Sequence, residues 1–275
     1  MTATVTPALP SMTVGRGSDL RVTQLRVVLS EWTKFRSLRS TVYTLLVAVV
    51  LMVGLSAMFA AITASQATGF GPGTNATSTS LTGTFFAQLA IGVLGVLLIS
   101  GEYSTGMIRA SLTVVPRRLP MFWAKLAVFA GSVFLITSIA SFTSFFAGQA
   151  LLSGGGLNVS LAEPGALRSV LGAALYLTVA GMTGVALGAL LRNTAAAITI
   201  FVAVYFVIPP MTNLLPTSWT DHFVQYLPSN AGAMMLDGTY GVANPLAPWT
   251  GFAVMSACAL VLIGFAASRL HRVDA

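Results

Sequence analysis

The chain has 275 residues, 55% of them hydrophobic and only 8% charged, with a formal net charge of +7 and a mean hydropathy of +0.84. A soluble domain carries roughly three times that share of charge, so the composition excludes one and indicates an integral membrane protein. The positive balance does not indicate a nucleic-acid reader, because the basic residues flank apolar runs instead of clustering on a soluble module, and the single Cys258 excludes both a disulfide framework and a thiolate metal site.

Residues 1–19 contain Thr, Pro and Gly without helical period, which predicts a disordered cytoplasmic tail; no apolar stretch precedes a cleavage site, so a removed signal peptide is not expected. Residues 20–275 read as one transmembrane domain. Over 20–40 the apolar positions Leu25, Val28, Leu29, Trp32 and Phe35 recur at helical spacing. Gln24, Arg26, Ser30, Glu31 and Lys34 fall on the other side. Val27 is a misfit on the polar face and Arg36 intrudes on the apolar one. Such a helix, with Trp32 at headgroup level and cations on the wet face, is expected to lie in the membrane plane, with Glu31, Trp32, Lys34, Arg36 and Arg39 as its interfacial residues.

Residues 41–64 hold no charge and are long enough to cross the hydrocarbon core, as the first of six expected spans. The others are 81–100, 121–152, 166–191, 195–215 and 246–267. Residues 65–80 and 153–165, rich in Gly and Ser, are expected to be external loops; the glycosylation-like triplets at Asn75 and Asn158 are background in such composition. Gly92 and Gly95 in the second span, and the Gly184-x-x-x-Gly188 spacing in the fourth, favour close helix approach. Pro209 and Pro210 remove two backbone donors and should break the fifth span near the outer surface. Residues 216–245 are too polar to cross and too apolar for a loose loop, which predicts short helices at or dipping into the outer leaflet. His222 beside Asp221 reads as a solvated loop pair.

The stretch 101–118 lies between two spans. Gly106 permits a turn after Glu102, Pro116 ends the short run 107–115, and Arg117 and Arg118 follow. Lys125 enters the next span with a stem able to reach back to the surface. Thirteen of the fourteen Lys and Arg residues fall on one side of this plan and only Arg168 on the other, which places both termini in the cytoplasm.

The third span is rich in hydroxyls and aromatics. Ser138, Ser141, Phe142 and Phe145 are candidates for a substrate path, and helix-to-helix hydrogen bonding explains them equally well. No phosphate-binding Gly-x-x-x-x-Gly-Lys-Ser/Thr loop is present, so the chain is not expected to hydrolyse ATP or to be an enzyme. All seven acidic residues lie outside the spans or at their rims, which gives ion-coupled transport nothing obvious to use.

Two stretches, SEWTKFRSLRST at 30–41 and EYSTGMIR at 102–109 running on to PRR at 116–118, together with the six-span plan, resemble the permease subunits of type-2 ATP-binding-cassette (ABC) exporters of the actinobacterial kind. The resemblance covers nearly the whole chain beyond residue 19. It implies that 20–40 is the interfacial connecting helix and that 101–118 holds a coupling helix docking on an ATPase subunit. Glu102 and Gly106 would mark its bend, residues 107–115 with Met107 and Ile108 at their start its contact, and Arg109, Arg117 and Arg118 its attachment, with Pro116 ending the run. It implies re-entrant helices before the last span. The implied assembly has two ATPase subunits carrying Mg-ATP, a second permease copy or homologue, and no cofactor in this chain. Its function would be export of an amphipathic drug, antibiotic or lipid across the cell membrane. A pairing of Glu102 with Arg36 or Arg39 is expected from opposite charge at one membrane depth. Two other readings stay open on residues alone: a carrier or channel working by itself, and a non-transporting membrane partner in immunity or sensing.

Overall fold

The computed structural model describes residues 24–66, 75–104, 118–214, 222–236 and 244–272. Among them the secondary structure is helical, without strands. Six helices are long and apolar enough to cross a membrane, the arrangement of a multi-pass membrane protein. Helix α1 (Gln24–Ser37) is followed by the first span, α2 (Arg39–Ser65). A five-residue helix, α3 (Ala76–Ser80), precedes the second span, α4 (Thr84–Ser104). The third and fourth spans are α5 (Arg118–Ser153) and α6 (Ala166–Leu191). The fifth is α7 (Thr194–Met211), the short α8 (Pro228–Ala233) lies between spans, and the sixth span is α9 (Pro248–Arg272).

Helix α6 is the axis of the bundle: 78% of its apolar window is buried, against 28% for α2 and α9. Its sequence explains the position. Gly, Ala, Ser and Thr make up most of its buried face, and small side chains let neighbouring backbones come close where lipid supplies no hydrophobic drive for association. The approach is closest to α4. A β-carbon on Gly95 would stand 2.2 Å from the carbonyl oxygen of Gly181; one on Gly184 would stand 2.3 Å from that of Gly92, and one on Gly188 2.8 Å from that of Val96. The glycines expected to permit close packing in two separate spans are therefore the two halves of one seam. Beside the seam, Phe201 and Tyr205 of α7 stack at 4.7 Å, and the Tyr205 hydroxyl donates to Thr183 Oγ1 at 3.2 Å.

Three expectations are revised. The prolines do not break α7 at their own position: the helix widens into a π-turn over Ala203–Val207, runs on through Pro209 and Pro210 to Met211, and tightens to a 3₁₀ turn at Thr212–Leu214. A wide turn before a proline gives room for its ring and absorbs the missing donor. The segment 65–80 is not wholly loop, because residues 76–80 form α3, buried throughout. Asn75 caps α3, accepting from Ser78 N at 2.8 Å while Ser78 Oγ accepts from Asn75 N at 2.9 Å. Gln149 of α5 secures it, its amide donating to Ala76 O and Ser80 Oγ and its carbonyl accepting from Val159 N at 2.7 Å. The third span is also longer than expected, with 36 helical residues from Arg118.

In residues 216–245 the described parts are short helical turns, Val224–Tyr226, α8 and Met234–Leu236, packed on α6, α7 and α9. The tail 1–19 and the stretch 105–117 lie outside the described residues.

The seam makes a direct prediction. Gly184→Ala should lower the stability of the purified chain in detergent by about 1–3 kcal/mol through overpacking. Gly54→Ala, where a β-carbon would meet nothing within 4 Å, should be neutral or stabilising by up to about 1 kcal/mol. Thermal unfolding of both variants beside the parent checks the contrast.

Candidate functional site

The site is built where α1 meets the first turns of α5. A row of α1 residues one helical turn apart, Val27, Glu31 and Phe35, is buried, at 4%, 5% and 6% exposure. Of this row only Phe35 belongs to the stripe that hydropathy selects. Leu29 and Trp32 of the apolar stripe are exposed, Val27 is a packing residue and not a misfit, and Glu31 is turned inward instead of toward water. Phe35 meets Phe129 of α5 edge to face at 6.4 Å, and Gln24 Nε2 donates to Pro120 O at 3.0 Å.

At the centre of that row, Lys125 Nζ lies 2.7 Å from Glu31 Oε2, both side chains 5% exposed, and Lys34 Nζ lies 3.2 Å from Glu31 Oε1. The expectation that Lys125 reaches back to the surface is overturned: its ammonium is directed at a carboxylate from another helix. The physical reason is cost. An isolated ion held away from water is expensive, and each of these charges is tolerable there because the other is in hydrogen-bonding contact. The charge-assisted contact also fixes the register of α1 on α5, since sliding by one residue would separate the two groups.

Next to the pair is a cleft of about 440 Å³ walled by α1, α2, α4 and α5, with Glu31, Lys34, Thr41, Leu94, Gly101 and Lys125 among its lining. Gly101 lies in the last turn of α4, three residues before its end, and Lys125 lies two turns into α5. The cleft thus sits beside the two ends of the α4–α5 connection. Also at this end of the bundle, Thr194 Oγ1 donates to Ser100 Oγ at 2.9 Å, and Arg269 donates to the carbonyl of Leu190. The last turns of α4, α6 and α9 and the start of α7 are joined there by polar contacts.

A second cavity, of about 400 Å³, lies at the opposite end of the bundle between α2, α4, α6, α7 and α8. Phe59, Phe85, Phe86, Tyr176, Pro209 and Asn230 are among its lining. Phe85 and Phe206 approach to 4.6 Å between ring centres, and the Tyr176 hydroxyl donates to the side-chain carbonyl of Gln88. Among the described residues no three His, Cys, Asp or Glu side chains gather into a group able to hold a metal ion.

The sequence-derived site residues distribute as follows. Of the interfacial set, Glu31 is buried, Lys34 is half-buried, and Trp32, Arg36 and Arg39 are exposed. Glu102 belongs to α4 and Arg118 opens α5, with their side chains outside the described structure. Gly106, Met107, Ile108, Arg109, Pro116 and Arg117 are outside the described residues altogether. The expected pairing of Glu102 with Arg36 or Arg39 therefore has no described counterpart; the described ion pair between α1 and a span is Glu31 with Lys125. Of the path residues, Phe145 is in the core, Phe142 packs against that core, and Ser141 Oγ donates to Ser138 O at 3.0 Å. None of these four lines the cleft beside α1 or the cavity at the opposite end. Local pattern marks Lys125 only as a surface-seeking cation, and the signal that could have found its partner is the coincidence of two charges at one membrane depth on helices separated by 94 positions.

Compared with protein-family models the chain matches none, and no curated protein matches it.

Removing one partner of a buried ion pair is costly, of order 3 kcal/mol. Glu31→Gln, which takes the carboxylate from two lysines, should destabilise more than Lys125→Met, which leaves Glu31 with Lys34. Exchanging the charges, Glu31→Lys with Lys125→Glu, should recover most of the loss. Hydrogen exchange of the α1 amides reports the clasp directly, and unchanged protection in Lys125→Met would show that the pair does not hold α1.

Proposed function

We propose that the chain is the membrane-spanning permease subunit of a type-2 ABC exporter, moving an amphipathic small molecule by alternating access driven by a separate ATPase. The observation that carries this reading is the Glu31–Lys125 clasp beside the α4–α5 connection. It makes α1 and α5 one mechanical unit, with α4 as the other wall of the same cleft. A force applied to residues 105–117 reaches α4 from one side and the α1–α5 unit from the other, which suits a segment pushed by a motor. This sequence holds no phosphate-binding loop, and in this reading the motor is a separate ATPase subunit. The near-exclusive placement of Lys and Arg on this side of the spans supports its facing the cytoplasm, with both termini there and the chain in the cell membrane.

In this reading two ATPase subunits close on Mg-ATP and displace the coupling segments of two permeases, which are copies of this chain or this chain and a homologue. Met107 and Ile108 make the apolar contact, and Arg109, Arg117 and Arg118 hold the segment against the partner or lipid phosphates. Glu102 and Gly106 form the bend.

Co-purification of the native complex and its reconstitution in liposomes tests the proposal. ATP-dependent movement of a fluorescent amphipathic probe is expected with the ATPase present, and none without it. Glu102→Arg should reduce that movement at least tenfold while leaving thermal unfolding of the chain unchanged. Gradient-driven transport by the chain alone, or ATPase binding without any flux, would overturn it.

A further inference from the structure

Three buried polar atoms with no hydrogen-bond partner among the described residues belong to the wall of the cavity opposite α1 or lie behind it: Thr84 Oγ1, Ser229 Oγ and Gln88 Nε2. Their residues are 1%, 4% and 0% exposed. Thr84 and Ser229 line the cavity, and Gln88 lies one helical turn deeper than Thr84, hydrogen-bonded to the lining residue Tyr176. Because the Tyr176 hydroxyl occupies the Gln88 carbonyl, the side of that amide left to satisfy is its N–H₂, a donor. A buried polar group without a partner is costly, and two such hydroxyls in one cavity wall, with a third group one helical turn behind, indicate a place shaped for something that is itself polar at one end.

We infer that this cavity binds a neutral amphipathic molecule that has a flat apolar body and an oxygen able to accept hydrogen bonds, such as a carbonyl. Its walls decide the chemistry. No Asp, Glu, Lys, Arg or His is among the described lining residues, so neither an anion nor a cation finds a countercharge. The rings of Phe59 and Phe86 stack at 6.5 Å and those of Phe85 and Phe86 meet edge to face at 5.6 Å, which presents aromatic surface to a flat body. The volume of about 400 Å³ suits a small organic ligand. An acyl chain would fill the space but leave the Thr84 and Ser229 hydroxyls unmet, so the acceptor oxygen is what selects the occupant. The inference deepens the transport reading by naming a substrate class, and rests on it only for the occupant being cargo.

Benzophenone, a neutral diaryl ketone that labels neighbouring C–H groups on illumination, is the probe, used on the full chain in nanodiscs without any ATPase. Mass spectrometry should find the adducts concentrated on residues 81–86 and 229–236. Unlabelled benzophenone should compete about tenfold better than diphenylmethane, which has the same two rings without the carbonyl. Thr84→Val, a same-shaped change at the cavity wall, and Ser229→Ala should each narrow that preference at least threefold, and Ala233→Phe, which fills the space, should cut labelling at least fivefold. Equal competition by the two compounds in the parent chain, or adducts spread along the lipid-facing helices, would overturn the inference. Labelling here without ATP-driven flux would leave the site standing and remove the transport reading, whereas flux with no labelling here would do the reverse.

Discussion

The backbone contact between α4 and α6 is the constraint on which the bundle depends. Three glycines stand where a β-carbon would lie within 3 Å of a carbonyl oxygen of the facing helix. In a membrane, where the surrounding lipid is as apolar as the side chains, close packing of backbones replaces hydrophobic expulsion as the reason for helices to associate. Once α4 and α6 are locked, α5 and α9 cover the remaining faces of α6. Helix α7 lays Phe201 and Tyr205 against the same pair.

Polar groups inside this bundle are concentrated at joins. Gln149 holds α3 at one end of α5, Glu31 and Lys125 hold α1 near the other, and the Thr183–Tyr205 and Ser100–Thr194 contacts tie α7 to α6 and α4. The third-span hydroxyls Ser132 and Thr137 are answered within their own helix, donating to the carbonyls four residues back. Such back-bonding needs no partner helix, which is why a run of hydroxyls in a span is a poor guide to a path.

The two cavities differ in the chemistry of their walls. The one beside α1 has an ion pair and hydroxyls at its edge and adjoins the ends of the α4–α5 connection, which suits the transmission of force. The one beneath α8 is aromatic and uncharged, with buried donors, which suits a neutral occupant. Pro209 and Pro210, which follow the π-turn in α7, form part of the second wall, and the π-turn gives the fifth span a local irregularity where a regular helix would be stiff.

The sequence by itself determined the number of helices long and apolar enough to cross a membrane, because a run such as 41–64 with no charge is best placed in hydrocarbon. It also marked the glycines of the seam, although not that those of α4 face those of α6, since a small residue records a close approach without naming what approaches. Only the tertiary structure decided the inward turn of Glu31. Hydropathy ranks that position by its solvation alone, whereas its burial follows from a lysine 94 positions away. The same holds for the polar atoms under α8: Thr84, Gln88 and Ser229 are unremarked in the chain order. They become a site because packing brings α4, α6 and α8 together around one space, and long-range contact is a property of the fold and not of local pattern.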